Sequence, residues 1–109
     1  MSTTRDTITY ILEKLGHSTR FTTRPMFGEY TLYADQKVVA LVCDDLLYVK
    51  ICPASAALET ECEKDAPYPG ARPHYVVDDE QLDTIHNLPG ILLAIAASLP
   101  AKKTKRSKK

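Results

Sequence analysis

Polar and apolar positions along the chain change their period several times, and each change marks an element. Ile8, Ile11, Leu12 and Leu15 fall at i, i+3, i+4 and i+7, which predicts an amphipathic helix over residues 3–15. Thr3 followed by Asp6 reads as its capping box, and Gly16 as its left-handed stop. The period then falls to two. Runs at 26–33, 38–43 and 46–51 are separated by ADQK and DD, and such short polar breaks predict a three-stranded antiparallel meander. In the first run Met26, Gly28, Tyr30 and Leu32 are expected on one face, with Phe27, Glu29, Thr31 and Tyr33 on the other. Pro25 is tolerable just before that strand or at a sheet edge. In the third run Leu47, Val49 and Ile51 point one way while Leu46, Tyr48 and Lys50 point the other. The second run is apolar on both faces, which fits a central strand covered on each side, or a dimer surface.

Beyond the meander, Pro53 opens a helix expected to run to about Lys64, with Ala54, Ala57, Leu58 and Cys62 as its stripe. APYPGARP (66–73) is a loop, because three prolines and a glycine forbid regular hydrogen bonding. HYVV (74–77) is a further strand. Asp78 or Asp79 caps a brief helix through Ile85, and Asn87-Leu88-Pro89 starts a last one. Leu92, Ile95, Ala96 and Leu99 form the stripe of that helix, which Pro100 closes. The order α-β-β-β-α-β-α-α predicts an α+β fold of two layers. Its antiparallel sheet holds the meander and at least one later strand, with helices at both ends and one inserted.

The 109 residues predict one domain over 1–100, followed by a basic tail at 101–109. Hydrophobic residues at 44% and charged residues at 26% exclude a disordered chain. No apolar run reaches the roughly 18 residues needed to span a bilayer. MSTTRDTITYILEKLG lacks the basic head and apolar core of a secretory leader, so a cytoplasmic protein is expected. The formal charge of zero hides a division. Lys102, Lys103, Lys105, Arg106, Lys108 and Lys109 give the tail +6, leaving eight basic against fourteen acidic residues in the body, a formal −6. These six residues are the candidate nucleic-acid contacts. The binding they offer is weak, salt-sensitive and sequence-blind.

The residue types point away from catalysis. There is no G-x-S-x-G, no H-E-x-x-H and no paired-carboxylate motif, so no catalytic residue is assigned. Cys43, Cys52 and Cys62 form no C-x-x-C pair, and His17, His74 and His86 lie far from them, so no metal site is assigned. Gly16, Gly28, Gly70 and Gly90 are isolated, which excludes both glycine-rich nucleotide fingerprints, and no cofactor is expected. Asp44-Asp45 reads as a hairpin turn and Asp78-Asp79 as a helix cap. Tyrosine is the residue in excess. Phe27, Tyr30, Tyr33, Tyr48 and Tyr75 make a candidate interaction surface, and Tyr68 adds contact area from the loop, since tyrosine is an amphipathic residue favoured at interfaces. Edging of the core by these rings is the structural alternative.

The stretch RPMFGEYTLYADQKVVALVCDDLLYVK (24–50) resembles the N-terminal domain of the TfoX/Sxy family. Met26-Phe27-Gly28, Tyr33, Val39-Ala40-Leu41 with Asp44, and Leu47-Tyr48-Val49-Lys50 carry the resemblance. The preceding helix and the Pro-Tyr-Pro-Gly segment at 67–70 extend it over roughly residues 3–99. It implies an α+β domain without catalytic residues, linked to regulators of competence for DNA transformation. Members of that kind act as co-activators beside the cyclic-AMP receptor protein. The longer regulators add a helical second domain, and HYVVDD here replaces a longer aromatic hairpin. The expected function is a non-enzymatic regulatory or protein-interaction module. Its sheet face or edge would take a protein partner, a transcription regulator or a second copy. The alternatives are a nucleic-acid accessory using the tail and a small-ligand domain with a pocket under loop 66–73, beside Phe27 and Tyr75.

Overall fold

Three two-residue turns build most of the sheet. In each, both central residues have positive φ: Phe27 and Gly28 (52° and 83°), Asp35 and Gln36 (50° and 70°), Asp44 and Asp45 (53° and 62°). That is the backbone of a type I′ turn, whose twist matches the right-handed twist of the strands it joins. A computed structural model describes residues 4–16, 18–85 and 87–99 of the chain. In it these turns connect β1 (Phe21–Met26), β2 (Glu29–Ala34), β3 (Lys37–Cys43) and β4 (Leu46–Lys50) as a four-stranded antiparallel meander. β5 (Glu63–Asp65) and β6 (His74–Val77) complete a six-stranded sheet of order β1-β2-β3-β4-β6-β5, every pair antiparallel. Helices α1 (Arg5–Lys14), α2 (Asp79–Thr84) and α3 (Leu88–Ser98) accompany it. The predicted α+β class, the antiparallel sheet and the terminal helices are all present.

The strand expected over 26–33 is two strands. Thr22 and Thr23 lie in a run with no apolar alternation, so β1 carries no period-two signal, yet it pairs from Phe21↔Ala34 to Met26↔Glu29. Phe27-Gly28 is therefore the turn, and the face assignment across it fails: Met26 and Glu29 are opposite each other on one face. The helix expected over 53–64 also shortens. Residues Pro53–Leu58 form a 3-10 turn, and 63–65 is a strand. The buried positions are Ser55 and Leu58, three apart, which is the 3-10 period, while Ala57 is exposed. Ser55 fixes the turn by donating from Oγ to the carbonyl of Lys50 (2.8 Å) and accepting from the Cys52 N–H (3.0 Å). The cap of α1 is Thr4, whose hydroxyl accepts from the Thr7 N–H. Thr3, His17, His86, Pro100 and the basic tail lie outside the described residues.

The core occupies one side of the sheet. Leu32, Ala40, Val42, Leu47, Val49, Tyr75 and Val77 face Ile11, Leu58, Leu88, Leu92 and Ile95. α3 packs across β2, β3 and the 53–58 turn, and α2 packs against β6 and α1. A bulge opposite Leu32 and Tyr33 sets Val39 between the pairs Tyr33↔Val38 and Leu32↔Ala40, so that both Val39 and Ala40 are buried. The two-sided apolarity of this run thus has a local cause. Lys37 closes the C-terminal end of α3, donating from Nζ to the carbonyls of Ala96 (3.0 Å) and Leu99 (3.2 Å). Both sheet edges are protected. Pro25 on β1 has no N–H to offer, and all three residues of β5 are charged and exposed.

Asp45 ties the last meander turn to the start of α1. Its carboxylate accepts from the Thr4 N–H (3.0 Å) and the Thr7 hydroxyl (2.8 Å), which hold it below the usual carboxylate range. Asp35, Glu59 and Asp83 are lowered as well, first by hydrogen bonds from Arg20, Lys64 and Lys14 respectively. A lowered carboxylate contributes stability above its unfolded value and loses it as pH falls through the folded one. The thermal midpoint is therefore expected to be flat from neutrality to about pH 5 and to fall below it. Asp45→Asn should show a shallower acid limb than the parent in the same pH series.

Candidate interaction face

All the helices among the described residues lie on one side of the sheet, so the other side carries its own chemistry. Pairing places Arg24, Met26, Glu29, Thr31, Tyr33, Val38, Leu41, Cys43, Leu46, Tyr48 and Val76 there. Its central residues are nevertheless covered. Tyr48 is only 7% exposed and Cys43 is buried, although neither belongs to the helix-packed core. Over Cys43 the loop that follows β5 comes close, and Asp65 at its start lies near Tyr48. Pro67 and Tyr68 meet Met26, Phe27, Glu29 and Cys43 around a cleft of about 420 Å³. The walls are apolar or aromatic and the polar group among them is the Glu29 carboxylate. That carboxylate accepts from the Asp44 N–H (3.0 Å), which locks the neighbouring turn.

Phe27 is the outlier of this surface. Its φ of 52° lies in the left-handed region, and its side chain is 99% exposed at the tip of the β1–β2 turn. A non-glycine residue costs roughly 1–2 kcal/mol in that conformation. An apolar ring held wholly in water offsets none of it. Folding therefore gives no reason for phenylalanine at this position. Met26 (37%) and Tyr68 (51%) stand beside it as large exposed apolar groups. On β1, Arg24 places its guanidinium 5.9 Å from the Tyr33 ring centre, a cation–π contact on the same face.

The five aromatic residues singled out from the sequence divide between the two faces. Phe27, Tyr33 and Tyr48 share the helix-free side. Tyr30 is half-buried against the core edge, and Tyr75 is 2% exposed on the helix side, where its hydroxyl donates to Glu59 (2.8 Å). Tyr75 is therefore removed from the surface: Tyr75 pairs with Val49 across β4, whose inward register it shares. Met26 was missed as part of this surface, whereas Tyr68 stands exposed on the loop, where the sequence had offered it as contact area. The pocket under loop 66–73 exists beside Phe27, with Tyr68 in the place expected for Tyr75.

Other chemistry is sparse. Burial raises the Cys43 thiol and pushes the Cys62 thiol up to about 11, so both are protonated at neutral pH. Among the described residues no three His, Cys, Asp or Glu side chains gather as a metal site. No described helix is long and apolar enough to cross a membrane.

The architecture is thus a single antiparallel sheet with helices on one face and a strapped, aromatic-rimmed cleft on the other. The chain belongs to the TfoX N-terminal domain family, whose model matches residues 13–92. It is 33% identical over 108 residues to an "Uncharacterized 12.7 kDa protein in trpE 5'region" of Spirochaeta aurantia, an alignment covering 99% of this chain and 93% of that one.

Proposed function

We propose that the protein is a non-enzymatic interaction module of the TfoX type, acting in transcriptional co-regulation, and that its helix-free sheet face takes a protein partner. The observation that carries this reading is Phe27, an apolar ring exposed at a backbone cost beside the cleft of Met26, Glu29, Cys43, Pro67 and Tyr68. Exposed apolar clusters of this kind characterise binding surfaces. The blocked edges favour the face over strand addition. Family membership supports a regulatory setting, and the buried, protonated thiols offer no activated nucleophile.

A photo-crosslinking residue placed at Tyr33 in the cell tests the reading. A protein adduct is expected there and is not expected at Glu13, which is exposed on α1 on the far side of the sheet. No adduct at Tyr33, or equal adducts at both positions, would count against a docking face. The charge division favours a second reading, in which residues 101–109 bring the module to nucleic acid. DNA retention at low salt that is unchanged by deleting 101–109 would dispose of it.

A further inference from the structure

We infer that the occupant of the helix-free face is a second copy of this chain, with Phe27 of each protomer seated in the cleft of the other. The inference rests on the docking reading above and names its partner. A two-fold interface needs a surface complementary to itself. This face supplies a knob and a hole side by side. The knob is Phe27, 99% exposed and held at φ 52° by a tight turn that fixes where it points. The hole is the cleft of about 420 Å³ walled by Met26, Glu29, Cys43, Pro67 and Tyr68, with Phe27 itself also on its lining. Sulfur, ring and proline walls suit an aromatic side chain.

Charge on the same face is self-complementary too. Arg24 rests on Tyr33 and forms no ion pair among the described residues, while Glu29 stands one diagonal step away across the β1–β2 pair. Both signs of charge thus lie on one face, which is the condition for an ion pair between two copies related by a two-fold axis. A foreign partner would need a separate hole and a separate carboxylate arranged to match. A second copy brings both by symmetry. The left-handed Phe27 is then explained: the turn spends conformational energy to project the ring, and recovers it on association.

Sedimentation velocity of the full chain across a wide concentration range tests the inference. A reversible dimer is expected. Phe27→Asn should be monomeric at every concentration, yet melt no lower than the diluted parent, because Asn-Gly suits a type I′ turn better than Phe-Gly. Arg24→Glu should weaken the dimer, and added salt should strengthen what remains of it while weakening the parent. A parent that stays monomeric, or a Phe27→Asn variant that dimerises undiminished, would overturn the inference. The two readings fail separately. A monomer whose Tyr33 position crosslinks to a different protein sinks the dimer and keeps the docking face. Absence of any adduct at Tyr33 removes both.

Discussion

Leu92→Ala is expected to be the most destabilising single truncation on the helical side, costing about 2–5 kcal/mol. Leu92 has no exposed surface and sits in the α3 stripe that packs across β2, β3 and the 53–58 turn. Removing three carbons there sacrifices their transfer energy and leaves a hole. The hole cannot close readily, because the core it opens into already includes Val39, Val42 and Val49, short side chains that are fully buried. For a domain of this size the loss corresponds to a fall in thermal midpoint on the order of 10–30 °C. Calorimetry and urea titration of the variant read it directly. An unchanged midpoint would mean that α3 does not seat on the sheet. Ala94→Gly, exposed on the same helix, supplies the contrast: it should cost only about 1 kcal/mol through helix propensity.

The helices and the later hairpins were legible because their periods are strong. α3 carries four stripe positions bounded by prolines, and ADQK and DD are compact polar breaks between apolar runs. β1 was not legible. FTTRPM is half polar and contains a proline, as an edge strand facing solvent tends to be. Phe27-Gly28 was misread for a related reason: phenylalanine is a strong strand former, and nothing local says that it occupies a left-handed turn position. The 53–58 turn was overextended because alanine and proline fit the start of an α-helix as well as a 3-10 turn, and only the buried hydroxyl of Ser55 selects the shorter form. The site followed the same logic. The sequence nominated Phe27, which the structure leaves exposed, but it could not assign faces without knowing where the first turn falls. Tyr30 and Tyr33 lie three apart and so on opposite faces, a fact that the period alone contains. Which face is covered by helices depends on long-range packing.

Tyr48→Ala tests whether the strap and the cleft are one unit. Tyr48 is buried on the side without helices, between its ladder partners Leu41 and Val76. Its phenol is raised first by burial and then by the nearby charge of Asp65, the residue that leads into the 66–73 segment. Burial raises a phenol by desolvating its oxygen, so the hydroxyl and the ring are both withdrawn from water beside the start of the strap. Truncation to alanine should cost about 3 kcal/mol, the lower end for a buried aromatic, because the loop can settle partly into the space. Tyr48→Phe should change stability by no more than roughly 1 kcal/mol, since it keeps the ring and its packing and removes only the hydroxyl. Hydrogen exchange separates local from global effects. The Ala71 N–H, bonded to the Tyr68 carbonyl at 3.1 Å, reports on the strap. It should exchange faster in Tyr48→Ala, while amides of the β3–β4 ladder slow or quicken only with overall stability. If Ala71 is unaffected, the strap stands independently of Tyr48. If it loosens, Pro67 and Tyr68 lose their fixed place opposite Met26 and Phe27. The cleft then depends on the Tyr48 ring, and the same residue would govern both fold stability and the docking proposed for that face.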